Sequence, residues 1–315
     1  VKILFFTDPH NAERAPRSRV ETYMEDLLDK QEQLIEPAKK CDLVIHGGDV
    51  FHSKKPASFK LWNKLAEIYR ELGNLIILAG NHDFDKTHEE LEWNHVYALN
   101  KLPNVDVVLQ AEVVNRGVRF IFFGGGDYFS FEEFKKYLNG IKKQSVFSVG
   151  VFHSSIKVAK KKYPFPTISL STKFFDLFNL ILLGHLHDQQ FHGAVKKSGQ
   201  SLYVAAPGSL SRGVLREDES LDRAVGYSLI TVKDKNTEKV EFKKLKYKKA
   251  EDVFDLEARE EEKQAGKKAQ DLIDYVENME LSGGLDNDYI INKIKNMDIE
   301  VKVKEKAIEI LEGLL

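Results

Sequence analysis

Residues 74–84 read NLIILAGNHDF. Leu75 to Ala79 form an unbroken apolar run, the pattern of a short buried strand. Gly80, Asn81, His82 and Asp83 follow with no apolar residue among them. An amide, an imidazole and a carboxylate crowded onto the end of a core strand call for an explanation. In α/β sheets the carboxyl ends of the strands are where ligands bind.

The same rhythm extends to both sides. KILFF (2–6) reads as a strand, 19–36 as a helix, DLVIHGG (42–48) as a strand, 58–71 as a helix and 88–100 as a helix. This βαβαβ alternation predicts a mostly parallel sheet with covering helices. Beyond residue 104, VDVVL, EVVN and VRFIFFGG are closely spaced strand patterns, followed by a helix near 130–142. VFSVGVF (146–152) and NLILLG (179–184) are two more strands, and 190–246 holds four or five β segments. The expected fold is a layered α/β sandwich, four layers deep in the order α/β/β/α. Residues 251–315 differ: they contain no proline and show helical periodicity, with a break at SGGLDND. The expected division is 1–250 as the main domain and 251–315 as a mainly helical C-terminal extension.

Composition narrows the class. The chain has 315 residues, 42% apolar and 30% charged, as expected of a soluble globular protein. No apolar run approaches the roughly 20 residues that span a bilayer, and the first ten residues show no signal-peptide pattern. The single cysteine, Cys41, excludes an internal disulfide framework and a Cys-rich zinc site. An intracellular, cytoplasmic location fits. The net charge of −2 conceals an asymmetry, with +7 on residues 1–250 and −9 on 251–315. A basic body is compatible with a polyanionic substrate, and equally with ordinary solvated surface charge.

Five strand ends carry polar residues of one chemical kind. They are Asp8-Pro9-His10, Gly47-Gly48-Asp49 with Phe51-His52, Gly80-Asn81-His82-Asp83, His153, and Gly184-His185-Leu186-His187. Each alone is weak; a lone histidine after a strand is more often structural than functional. Five such events in chain order, each at an expected strand terminus, point to one site. Two aspartates, one asparagine and four histidines exceed what a single tetrahedral zinc needs. Mixed imidazole and carboxylate ligands suit Mn, Fe or Zn better than Ca or Mg. The surplus suggests two divalent ions roughly 3.5–4 Å apart.

In this order, D-x-H, GD, GNHD, H and GHxH resemble the calcineurin-like metallophosphoesterase superfamily over roughly residues 1–245. The resemblance implies a dinuclear phosphoesterase. Asp8, His10 and His187 would hold one metal, Asn81, His153 and His185 the other, with Asp49 bridging. His82 would ligate neither and would act on the scissile phosphate. Asp83 would either orient His82 or cap a helix.

Within the superfamily, GGDVFHSKKPAS and APGSLSR (206–212) resemble the SbcD-type repair nucleases, relatives of the eukaryotic Mre nuclease. That implies a Mn-dependent DNA exo/endonuclease acting in repair or recombination, with Mg, Fe or Zn as other candidate ions. His52 would help place the DNA strand, or would be a loop histidine without that role. Ser209 would contact phosphate, or lie in an ordinary Pro-Gly turn. The implied partners are DNA ends or single strands read without sequence specificity, an SbcC-like coiled-coil ATPase, and a second copy of the chain. The implied setting is the nucleoid or the cytoplasm of a phage-infected cell. Two features depart from the pattern: Ala12-Glu13 stands where Leu-Gly is usual, and the C-terminal region is short and helical. The lysine runs at 157–165, 194–200 and 243–249 are candidates for tracking a phosphate backbone. The competing enzymatic reading is a small-molecule phosphodiesterase of the cyclic-nucleotide type. A binding-only scaffold would lack a ligand or the His82 imidazole, and all are present.

Overall fold

Alternation along the first strand sets the layers. In Lys2–Phe6, Ile3 and Phe5 point to one face and Leu4 and Phe6 to the other, and all four are fully buried. A strand buried on both faces needs a partner layer on each. The computed structural model provides a second sheet on one side and helices on the other. It describes all residues except 16–18, 20–21, 86–89, 127–128, 159–161, 164, 189–190, 198, 213–222, 234–235, 280–286, 298 and 313–315. The chain divides into two compact units, Val1–Val253 and Phe254–Leu315.

In chain order the first unit holds β1 (Lys2–Phe6), α1 (Tyr23–Glu32), α2 (Ile35–Ala38), β2 (Leu43–His46), α3 (Phe59–Glu71), β3 (Leu75–Leu78), β4 (Val105–Val108), β5 (Gln110–Asn115) and β6 (Val118–Phe123). It continues with α4 (Phe131–Gly140), β7 (Phe147–His153), β8 (Ile156–Lys157), β9 (Ile168–Ser169), α5 (Thr172–Leu177) and β10 (Leu180–Gly184). It ends with β11 (Phe191–Lys197), β12 (Gln200–Ala206), β13 (Gly226–Lys233), β14 (Asn236–Lys244) and α6 (Ala250–Val253). One six-stranded sheet runs β14-β13-β1-β2-β3-β4, the other β11-β12-β10-β7-β6-β5, and β8 pairs with β9 separately. β1 to β4 are parallel, as are β6, β7, β10 and β12, while β13, β14, β5 and β11 join antiparallel.

Three apolar clusters separate the layers. Ile3, Phe5, Ile45 and Leu78 of the first sheet meet Phe120, Phe122, Val149 and Leu182 of the second. Leu4, Phe6, Val44 and Ile77 pack under α1 and α3 through Leu28, Leu61 and Leu65. Phe123, Phe152, Ile181 and Leu183 pack under α4 and α5 through Phe134, Leu138 and Phe174. The four-layer expectation therefore holds. Local signals start the covering helices: the Ser58 hydroxyl accepts the Leu61 amide at 3.3 Å, and Ser130 with Glu133 forms a reciprocal capping box at α4.

Two expected helices are shorter than their periodicity suggested. The 19–36 pattern yields α1 and then α2. Between them the Gln33 side chain bridges to the backbone of Lys246, donating to its carbonyl at 3.0 Å and accepting its amide at 2.8 Å. The 88–100 pattern yields two 3-10 segments, Leu91–Trp93 and His95–Lys101. Asn94, between them, accepts the Asp85 amide at 2.7 Å and donates to the Glu90 carbonyl at 3.2 Å, so side-chain bonds compete with the α-helical pattern there.

The second unit comprises α7 (Leu256–Met279), α8 (Asn287–Asn296) and α9 (Val301–Leu311) around a small core of Ala269, Ile273, Ile290, Ile294, Val303 and Ala307. Among the described residues no helix is long and apolar enough to cross a membrane.

Candidate metal centre

Because both sheets have parallel centres, β1, β2 and β3 end at one edge of the first sheet, and β7 and β10 end together in the second. Residue pairing is direct at these ends: Phe6 is in register with His46, and Gly184 with His153. The loops leaving these ends bend sharply. Asp8, His10, Asp49 and His185 all have positive φ, at 54°, 48°, 54° and 79°. Such left-handed non-glycine residues are costly and concentrate at functional sites, where the surrounding structure holds them in place. Gly80 serves by its lack of a side chain, since a Cβ there would overlap the Asp49 carboxylate.

Seven side chains converge. His10 Nε2 lies 2.8 Å from His187 Nε2, 3.8 Å from Asp8 Oδ1 and 3.5 Å from Asp49 Oδ2. His187 Nε2 is 3.6 Å from Asp8 Oδ1. On the other side of Asp49, His153 Nε2 lies 3.2 Å from Asp49 Oδ2 and 3.1 Å from Asn81 Oδ1, and Asn81 Oδ1 is 3.0 Å from His185 Nδ1. Asp8, His10, Asp49 and His187 form one group able to hold a metal ion; Asp49, His153 and His185 form a second. Asp49 belongs to both.

The polar atoms themselves test whether these residues fit a cation. His153 is fully buried, and its Nδ1 donates to the Gly47 carbonyl at 2.7 Å. A neutral ring would then aim the Nε2 lone pair at two oxygens, Asp49 Oδ2 and Asn81 Oδ1. That contact is favourable with a proton on Nε2 or a cation between them. Burial pushes the imidazole down, yet the Asp49 and Asp8 carboxylates hold it up at about 10. A site that draws a proton this strongly is short of positive charge. Asp8 Oδ1 and His10 Nδ1 are buried with no hydrogen-bond partner among the described residues. Burial lowers His10 to about 3, keeping its imidazole neutral and able to ligate. Burial and the neighbouring Asp49 raise Asp8, whereas His153 and His10 overcome burial to hold Asp49 well below the usual carboxylate range. The donor set fits divalent cations.

His82 and His52, outside the two groups, sit beside them. His82 donates its amide to Asp49 Oδ1 at 2.9 Å, and its ring centroid is 4.7 Å from that of His10. His82 Nδ1 is 2.6 Å from the His52 carbonyl and donates to it. The His52 ring stacks 5.7 Å from His82 and lies 5.8 Å from His10. His10, His52 and His82 are themselves close enough to share an ion.

Thr7, His46 and Tyr23 escaped the sequence reading, as did the supporting roles of Asp83 and Ser209. Asp83 neither orients His82 nor caps a helix: its carboxylate accepts the amides of Gly80, Val50 and Phe51, each at 3.0 Å. Ser209 is 1% exposed and turned inward, its hydroxyl donating to the Asp8 carbonyl at 2.7 Å. Thr7 donates to Asp8 Oδ2, His46 Nδ1 accepts the Gly48 amide at 3.1 Å, and Tyr23 donates to the His10 carbonyl at 3.2 Å. Thr7 and His46 lie within a few residues of the cluster, which was the available signal; nothing local marks Tyr23. Of the lysine runs, 159–161, 164 and 198 lie outside the described residues.

The family model described as calcineurin-like phosphoesterase matches residues 1–189, which contain every residue of the cluster. No curated protein matches the chain. Among solved structures, a hypothetical protein from Thermus thermophilus aligns at 12% identity and TM-score 0.45, over 79% of this chain and 100% of its own. A 5'-nucleotidase precursor from the same organism aligns at 16% and 0.44, over 82% of this chain and 57% of its own. The purple acid phosphatase PPD1 of yellow lupin (Lupinus luteus) seeds aligns at 14% and 0.45, over 77% and 51%.

Proposed function

The chain belongs to the calcineurin-like phosphoesterases, metal-dependent phosphoester hydrolases, and from that premise we propose that it is a dinuclear DNA nuclease of the SbcD type. Asp8, His10 and His187 would hold one ion, Asn81, His153 and His185 the other, and Asp49 both. Two bound divalent cations, with Mn2+ the leading candidate, would neutralise phosphoryl charge and make a water nucleophilic near neutral pH.

The chain's own residues supply the rest. The His52 carbonyl holds His82 Nδ1–H; with a second proton on Nε2 the imidazolium would pass that proton to the leaving oxygen as its P–O bond breaks, and the proton lost by the attacking water would leave to solvent. The water oxygen forms the new P–O bond from the opposite side. Asp49 Oδ1 and the His52 carbonyl together fix the His82 backbone and ring.

The observation that carries the nuclease reading is His52. It comes from the VFHS stretch after Asp49 and stacks at the margin of the cluster, where a strand entering the site would pass. The separate helical unit Phe254–Leu315 provides an element for a partner such as a coiled-coil ATPase, and the nuclease would work as a homodimer. The test is hydrolysis of end-labelled linear duplex and single-stranded DNA with Mn2+ or Mg2+, alongside bis-p-nitrophenyl phosphate. Metal-dependent DNA cleavage that chelation abolishes supports the reading. Cleavage of the small ester with both DNAs left intact overturns it in favour of a small-molecule phosphodiesterase.

A further inference from the structure

The turn that follows β2 touches both groups of the cluster. The Gly48 carbonyl accepts the Asp8 amide at 3.0 Å, and the Gly47 carbonyl accepts His153 Nδ1 at 2.7 Å. Asp49, which belongs to both groups, comes next, and its own carbonyl accepts the His10 amide at 3.1 Å. Gly48 has a φ of +111°, and a Cβ there would overlap the His153 ring, so the turn carries no side chain of its own to stiffen it. That task falls to His46, the last residue of β2. Its Nδ1 accepts the Gly48 amide at 3.1 Å across the turn. The residue is 0% exposed, and its ring lies edge-on to Phe6 at 4.6 Å and to Tyr69 of α3 at 6.1 Å. Its Nε2 is buried with no hydrogen-bond partner among the described residues.

The orphaned Nε2 is informative. With Nδ1 accepting, the proton of the neutral ring sits on Nε2, where it is desolvated and unbonded at a cost of about 1–3 kcal/mol. An apolar side chain between Phe6 and Tyr69 would avoid that cost, but it would deprive the Gly48 amide of this acceptor. A buried polar group left unpaired calls for a reason, and the Gly48 bond supplies one. The protonation state agrees: burial lowers His46 to about 3, His153 pushes the same way and Asp49 opposes, so the ring is neutral and the Nδ1 lone pair is available.

We propose that His46 is a positioning residue for both ions. Its Nδ1 lone pair fixes the Gly47–Gly48 turn, which aims the two carbonyls at Asp8 and His153 and delivers Asp49 between them. The imidazole acts through the main chain. The proposal rests on the two-ion reading of the cluster and is independent of which phosphoester is cut. Two replacements separate the acceptor from the ring. An Asn side-chain oxygen accepts the amide two residues on, as in an Asx-turn, whereas Phe keeps a ring between Phe6 and Tyr69 and removes the acceptor.

The test is calorimetric titration of Mn2+ into the metal-stripped, full-length protein and its variants. The parent is expected to take up two ions. His46→Phe is expected to weaken Mn2+ binding at both sites about 10–100-fold, while His46→Asn stays within about threefold of the parent. A role in packing alone would give the opposite order, since Phe fills the space between Phe6 and Tyr69 better than Asn does. Nitrogen NMR of the parent, labelled on histidine and compared with His46→Asn to identify the resonance, reads the tautomer and keeps the test valid if His46→Phe fails to fold; a proton on Nε2 is expected. The role is overturned if His46→Phe binds two ions with parent affinity, if His46→Asn loses as much affinity as His46→Phe, or if the proton is found on Nδ1. A parent that takes up fewer than two ions overturns the two-ion premise and the proposal with it, an outcome the parent shows without any variant.

Discussion

The Asp83 carboxylate accepts the Val50 amide at 3.0 Å from 33 residues away. With its bonds to Phe51 and Gly80, it ties the strand end bearing Asn81 and His82 to the one bearing Asp49 and His52. The tie holds the two ends in the register that lets Asp49 face both groups. Burial and the Asp49 charge raise Asp83 to about 6, opposed by the three amides that bind it.

Asp83→Asn presents an amide N–H₂ to backbone donors. It is expected to cost about 1–3 kcal/mol of stability and to weaken metal affinity about 10–100-fold. Urea denaturation and Mn2+ titration measure the two separately. A variant with native stability and native metal affinity would show that this tie is dispensable.

His82→Ala is expected to lower turnover about 10²–10⁴-fold with metal content unchanged. Plasma mass spectrometry of the purified variant decides the role. A fall in bound metal would make His82 a ligand, as its grouping with His10 and His52 permits.

His52→Ala separates substrate classes. Its main chain still accepts from His82, so hydrolysis of bis-p-nitrophenyl phosphate should stay within about threefold of the parent while DNA cleavage falls at least about tenfold. Equal losses on both substrates would remove His52 from DNA placement.

Lys30 carries a pH prediction. It faces Arg19, Arg223, Arg212 and Asp26, and its folded value near 7 lies below the ordinary lysine value of 10.5. Between those values the unfolded chain binds the extra proton, so stability rises with pH across about 7 to 10 and stays level with respect to Lys30 below 7. Lys30→Met should remove this rise. Denaturation midpoints at pH 7 and 9 test it; parallel profiles for parent and variant would refute it.

The layered fold was legible because it rests on local patterns. Alternation in KILFF and VRFIFF assigns faces, and the spacing of strands and helices implies parallel pairing. The residues of the cluster were legible for a related reason. Each lies at the end of an apolar run, and parallel strands bring such ends to common edges. Sequence by itself therefore determined which residues gather. It did not determine what holds them, since Asp83 to Val50, Ser209 to Asp8 and Tyr23 to His10 are contacts between distant segments with no local signature. Nor could it show that Lys30, the one lysine of the amphipathic helix Tyr23–Glu32, is buried near Arg212 and Arg223. Burial and the partners of a charge are properties of the packed chain, and they decide whether an ordinary lysine stays solvated or has its proton affinity lowered.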